Sequence, residues 1–256
     1  MKSILLIVFS IFILQPLFGK CGSALVVYPE ITELDINGKI IFEGLGHGNY
    51  FEIFEKLDSN YSIYIRSGEH KVRLIKEELV KGQFLWTQVV FKLEEELIEG
   101  RVYELFVKNL SLEDHRFLNL TRRYANGKRG IIKWQAKKSP NSDKVESLNK
   151  IKDHQLKVIH YGCGPSVETV FKLSTPNKNP QYLIVEISEV NTGRTFKYYI
   201  IPKDNLLTVG HGMCSGPFRF KHNNSYKIRF GTKNEEDDIE WLDWRNCPNP
   251  WNFEKD

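Results

Sequence analysis

The chain has 256 residues, with 36 Lys and Arg against 32 Asp and Glu and a formal net charge of +4. The two signs are mixed along it, which gives an ordinary solvated surface that demands neither nucleic acid nor an anionic membrane as partner. No paired carboxylates or nucleophilic triad can be named from the sequence, so the reading is non-enzymatic and implies no cofactor.

The start, MKSILLIVFSIFILQPLFGKCGSA, carries one early cation at Lys2, an apolar run from Ile4 to Leu14 broken by Ser10, then Pro16 and small residues. That layout is a secretory signal peptide, because the run falls short of the roughly 20 apolar residues a membrane-spanning helix needs. The expectation is export, with 1–19 removed and no transmembrane span left afterwards; cleavage after Ala24 is the second option and would take Cys21 with it. A retained N-terminal anchor is the competing reading, and a lipid-modified Cys21 fits poorly behind Lys20. Roughly 235 residues remain, enough for one large or two modest domains.

Period-two alternation then recurs in short runs, which favours strands. Tyr61, Ile63 and Ile65 in YSIYI share a face, as do Val72 and Leu74 in HKVRLI and Leu183, Val185 and Ile187 in QYLIVEI. NYFEIFEKLD is the best helix candidate. Asn37-Gly38 between two alternating runs predicts a type I′ hairpin, Asn126-Gly127 in RYANGKRG reads the same way, and NTGR at Asn191–Arg194 joins two strong strands. GLGHGNY repeats the Gly-His-Gly of a later segment, but it lacks the strand and helix that a phosphate-binding loop requires. Between Gln135 and Gln155 the chain turns polar and lysine-rich without alternation, so a linker is placed there. The domains are then 25–135 and 156–246, with 136–155 between them and 247–256 as a tail.

Each half carries a tyrosine that enters a strand just after a turn: Tyr103 in LIEGRVYELFV and Tyr226 in KHNNSYKIRF. With the ring in the core and the hydroxyl returned to the backbone, this is the tyrosine corner of Greek-key sandwiches. The paired pattern, above all Leu97-x-x-Gly100-x-x-Tyr103, resembles the tandem immunoglobulin-like or fibronectin-III-like modules of secreted bacterial proteins. The resemblance implies an all-β chain of two sandwiches and a binding or scaffold style of job; it names no ligand.

The cysteines are Cys21, Cys163, Cys214 and Cys247. Cys163 in HYGCGP and Cys214 in GHGMCSGP each have a histidine three residues upstream, His160 and His211. A Cys163–Cys214 disulfide is favoured in an oxidising compartment. It would close a loop of about 50 residues, worth around 4 kcal/mol in the chain-entropy model, and the surrounding glycines would let the two turns approach. Cys21 with Cys247 is the second pair, provided cleavage spares Cys21. The alternative is a zinc site of His160, Cys163, His211 and Cys214 in an extracellular metalloprotein. A Cys214 nucleophile with His211 as base is a remoter one.

Binding candidates are the hairpin residues Arg122, Arg123 and Tyr124, for a polyanionic or carbohydrate surface, and the C-terminal Trp244 and Trp251, which would stack on sugar rings if exposed. The acidic run NEEDDIE lacks the pattern of a calcium loop. The function expected is an exported binding or scaffold protein of the cell envelope or extracellular space, with a protein or polysaccharide at the cell surface as partner. A carbohydrate-binding accessory module of an extracellular hydrolase is the other candidate.

Overall fold

Residues 21–138, 151–173, 182–233 and 238–253 are described by a computed structural model of the chain. The expected leader, most of the expected linker and the first four residues of NEEDDIE lie outside the described residues.

The first unit is built from β1 (Ala24–Tyr28), β2 (Glu33–Asp35), β3 (Ile40–Leu45), β4 (Ile63–Ser67), β5 (His70–Lys81), β6 (Trp86–Leu93), β7 (Val102–Val107) and, after the small hairpin β8 (Thr121–Arg123) and β9 (Arg129–Ile131), β10 (Lys133–Lys137). Helix α1 (Tyr50–Lys56) lies between β3 and β4, and α2 (Leu112–Phe117) between β7 and β8. The strands hydrogen-bond in the order β1-β3-β6-β5-β4-β7-β10-β2. One strand folds this ribbon into two layers: β5 begins on β4 and ends on β6, and its register slips between Lys76 and Glu78. The extra residue of a bulge bends and twists a strand, which lets β5 cross from one sheet to the other. The layers β1-β3-β6-β5 and β4-β7-β10 reproduce the A-B-E-D and C-F-G order of an immunoglobulin-like sandwich.

The second unit has β11 (Ile151–Tyr161), β12 (Gly164–Leu173) and β15 (Leu206–His211) in one sheet. The other holds β14 (Thr195–Ile200), β13 (Leu183–Glu189), β16 (Tyr226–Lys233), β17 (Ile239–Trp241) and, also on β16, β18 (Arg245–Cys247). In the same lettering this is A-B-E against C′-C-F-G. The chain is therefore an all-β protein of two Ig-like β-sandwiches.

Alternation explains both cores. Ile63, Ile65, Val72 and Leu74 point into the first with Phe42, Phe91 and Trp134; Leu183, Val185 and Ile187 point into the second with Phe171 and Phe230. Each sandwich is pinned at its tyrosine corner. The Ile98 N–H donates to the Tyr103 hydroxyl at 3.0 Å, and the Lys221 N–H to the Tyr226 hydroxyl at 2.9 Å. Three residues before each tyrosine the chain takes positive φ, at Gly100 (80°) and at Asn223 (61°). The two corners are one device written with different residues.

Two turn expectations fare differently. Asn126-Gly127 does close the β8–β9 hairpin, but not as a type I′ turn: of the two, Gly127 alone takes positive φ, at 77°, and its N–H donates to the Tyr124 carbonyl at 2.8 Å. Asn37-Gly38 does not make a hairpin, because β2 and β3 never pair: β2 runs parallel to β10, while β3 sits between β1 and β6. The turn, closed by Gly38 N–H to the Asp35 carbonyl at 2.8 Å, hands the chain from one sheet to the other.

The units pack face to face. Ile41 and Val90, on the face of β3 and β6 opposite the first core, are buried against Ile184 and Tyr199 on the outer face of β13 and β14. Alternating residues of β3, β6 and β13 thus serve a core on one side and the joint on the other.

Candidate functional site

The glycine-rich stretch around Cys214 lies at this joint. Cys214 is bonded to Cys21, with Cα atoms 5.4 Å apart, and the bond ties the segment leading into β1 to the segment leaving β15. This corrects both pairings expected from the sequence, Cys163–Cys214 and Cys21–Cys247. Cys163 is exposed at the β11–β12 turn, and Cys247 is buried in the second core. Burial pushes the Cys247 thiol up to about 12. The sequence showed two turns with similar flanks; it did not show that β1, pairing along β3, would deliver Cys21 to Cys214.

The glycines serve that closeness. Gly210 has φ 132°, and a Cβ on it would collide with the Val167 carbonyl of β12; one on Gly216 would collide with His211. The Gly210-to-Pro217 segment can then lie against the β5–β6 loop of the other unit. Phe84 N–H donates to the Gly216 carbonyl at 3.3 Å and Gly216 N–H to the Phe84 carbonyl at 2.7 Å. His211, 5% exposed, packs its ring edge-to-face on Phe84 at 5.1 Å, and its Nδ1 lies 2.9 Å from the Gly212 carbonyl. Burial lowers its pKa, favouring the neutral ring.

The four-ligand zinc set is accordingly not assembled: the Cys214 sulfur is in the disulfide and His211 is turned to its own backbone. Among the described residues no three His, Cys, Asp or Glu side chains converge as a metal site. Cys214 is likewise not a thiol nucleophile.

A polar lock that the sequence reading missed lies deeper in the joint. The Gln88 side chain, fully buried, donates from Nε2 to the Tyr199 carbonyl at 2.9 Å and accepts at Oε1 from the Tyr199 N–H at 2.9 Å. A side-chain amide thus takes the place of a neighbouring strand on the open edge of β14, satisfying backbone groups that burial would otherwise strand. The same Nε2 donates to Glu43 Oε1 at 2.9 Å. Desolvation raises the Glu43 carboxyl to about 7 against the hydrogen bonds from Gln88 and Tyr28. Only polar residues inside otherwise apolar runs, Glu43 in IIFEGL and Gln88 next to Thr87 in WTQVVF, hint at this from sequence.

The aromatic and basic candidates have specific places. Trp241 and Trp244 flank the Arg229 guanidinium at 4.3 and 4.6 Å from their ring centres, with Trp244 38% exposed. Trp251 donates its indole N–H to the Phe220 carbonyl at 3.0 Å and stacks on His222 at 4.1 Å, within reach of the His160 ring at 6.4 Å. Arg122 turns inward, over the Trp134 ring, and donates to the carbonyls of Val27, Pro29 and Ile31 at 2.7–3.1 Å. Tyr124 donates to the Ile131 carbonyl at 2.5 Å. Arg123 points outward from the same hairpin.

No family model and no curated protein matches the chain. Among solved structures it is similar to a pullulanase from Anoxybacillus sp. LM18-11 complexed with maltotriose (11% identity, TM-score 0.25, 89% of this chain and 25% of that one). It is similar also to a cytokine receptor complex (12%, TM-score 0.20, 89% and 97%) and to the N-terminal Ig1-2 module of the Drosophila receptor protein tyrosine phosphatase DLAR (12%, TM-score 0.22, 88% and 96%). The chain spans a quarter of the pullulanase. Strand order, rather than these low-scoring likenesses, defines the two Ig-like sandwiches.

Proposed function

We propose that the chain is an exported, non-enzymatic binding or scaffold protein of the cell envelope or extracellular space, in which two sandwiches act as one rigid body. The observation that carries this reading is the Cys21–Cys214 bond. Disulfides form and persist in oxidising compartments. Here the bond fastens the start of the ordered chain to the far unit, at a joint already closed by the Phe84–Gly216 pairing and the Gln88 lock. It also favours removal of the leader after Gly19 over Ala24, since only the first leaves Cys21 in place, and it occupies the sulfur that a lipid would need. No helix among the described residues is long and apolar enough to cross a membrane.

Fractionation of the source cells with N-terminal sequencing tests the reading. The expected result is protein in the medium or envelope beginning at Lys20. Protein in the cytoplasm with residues 1–19 attached would overturn it. The exposed Trp244 beside Arg229 favours one second reading, an accessory module for polysaccharide. Retention on insoluble glucan that is lost in Trp244→Ala would support that reading.

A further inference from the structure

The outward side of β4, β5 and β10, together with the β8–β9 hairpin and Lys108 just past β7, carries cations in a way that folding alone does not explain. Arg66 on β4 stands directly opposite Lys71 on β5, and Arg123 directly opposite Arg129 in the β8–β9 hairpin. Like charges facing each other across a ladder destabilise it. Exposed and buried residues alternate without a break from Ile131 to Lys137, and Arg129 lies one step earlier on the outward side, so Arg129, Ile131 and Lys133 project from one face. Arg66, Lys71, Lys108, Arg123, Arg129 and Lys133 are all exposed, and none forms an ion pair with a carboxylate among the described residues. Glu104, paired in register with both Arg66 and Lys133, and Glu69, in the turn between Arg66 and Lys71, are carboxylates in their midst.

The sequence carries the same asymmetry. From His115 to Lys138 there are eight Lys or Arg and no Asp or Glu, against the even mixing of the whole chain. The inward-turned Arg122, held by three backbone carbonyls, fixes the hairpin so that Arg123 and Arg129 face away from the protein.

We infer that this face is a docking surface for a linear acidic polysaccharide. The inference rests on the reading of the chain as an exported binding protein. Charge complementarity selects a polyanion. The sheet spreads its cations over several strands, with residues on one side of a strand about 7 Å apart and strands about 4.8 Å apart, which suits repeating charges along a chain more than a single small anion in a pocket. The rings of Tyr64 and Phe106, stacked at 5.6 Å, are covered by Lys71 at 4.1 Å and Arg66 at 4.5 Å. They are therefore closed to the base stacking that single-stranded nucleic acid uses.

The test uses the full mature chain with its disulfide intact, applied at low salt to dextran sulfate, alginate and uncharged dextran. The expected result is salt-sensitive binding to the first two and none to the third. The double substitutions Arg66→Gln/Lys71→Gln and Arg123→Gln/Arg129→Gln should each weaken binding roughly tenfold. Arg123→Gln/Arg129→Gln relieves an opposed pair and should melt at or above the parent temperature; Arg66→Gln/Lys71→Gln also loses the cation–π contacts on Phe106 and Tyr64, so it should melt within a few degrees of the parent. The control Lys152→Gln/Lys227→Gln, on the second unit, should leave binding unchanged. Failure to bind either acidic glycan, equal loss in the control, or stronger binding to duplex DNA or phosphatidylglycerol vesicles would overturn the inference. Correct export with any of these results would sink the docking surface alone and leave the exported-scaffold reading standing.

Discussion

Tyr103 and Tyr226 hold the loops of their sandwiches through one hydroxyl each, and that bond is separable from the ring's packing. Tyr226→Phe keeps the ring against Phe218 and Phe220 and strips the acceptor from the Lys221 N–H. The expected cost is about 1–2 kcal/mol, read as a fall of roughly 2–8 °C in Tm; an unchanged melt would show that the corner is not closed by the hydroxyl. Glu43 provides a pH signature. Its folded carboxyl titrates at about 7, above the ordinary 4.5, so the folded state retains a proton that the unfolded state has lost between those values. Stability should therefore fall as pH rises from about 4.5 to 7 and stay low above, by ~3 kcal/mol for this group. Glu189 works the other way in acid: hydrogen bonds led by that from Lys221 hold its carboxyl low, so its contribution is lost as pH drops below the carboxylate range. Denaturant melts from pH 5 to 8 check the first effect. Glu43→Gln should flatten the curve and exceed the parent at pH 8, whereas parallel decline of both proteins would contradict the assignment.

At the scale of elements, Gly210 is the position where a single methyl should do most harm. Its φ of 132° and the Val167 carbonyl facing it leave no room for a side chain. Gly210→Ala should cost about 2–4 kcal/mol by combining backbone strain with a steric clash, seen in chemical unfolding; a neutral result would mean that β12 and β15 are not this close. Much of the element structure was legible in the sequence because it is local. Alternation at Ile63, Val72 and Val185 fixes which side faces a core, and the Leu97-Gly100-Tyr103 spacing fixes a corner. What was not legible depends on distant partners. Asn37-Gly38 marks a turn correctly, but whether the flanking strands pair is decided by β10 and β6. The inward turn of Arg122 and the strand-like role of Gln88 likewise depend on carbonyls and amides from remote parts of the chain. The cysteine pairing failed for the same reason: similar flanks suggested Cys163 for Cys214, and the path of β1 brought Cys21 instead.

At the scale of the whole molecule, two sandwiches are fastened to each other. The joint combines apolar faces from β3, β6, β13 and β14, an amide that closes a strand edge, and a covalent bond spanning 193 positions. In the chain-entropy model a loop of that length is worth about 5 kcal/mol, so Cys21→Ser should lower the unfolding midpoint well below that of Cys163→Ser. The most direct test is peptide mapping by mass spectrometry of unreduced protein recovered from its native location. One cross-linked peptide pair is expected, containing Cys21 and Cys214, with Cys163 and Cys247 recovered as thiols. A Cys163–Cys214 peptide, or all four cysteines reduced, would contradict it.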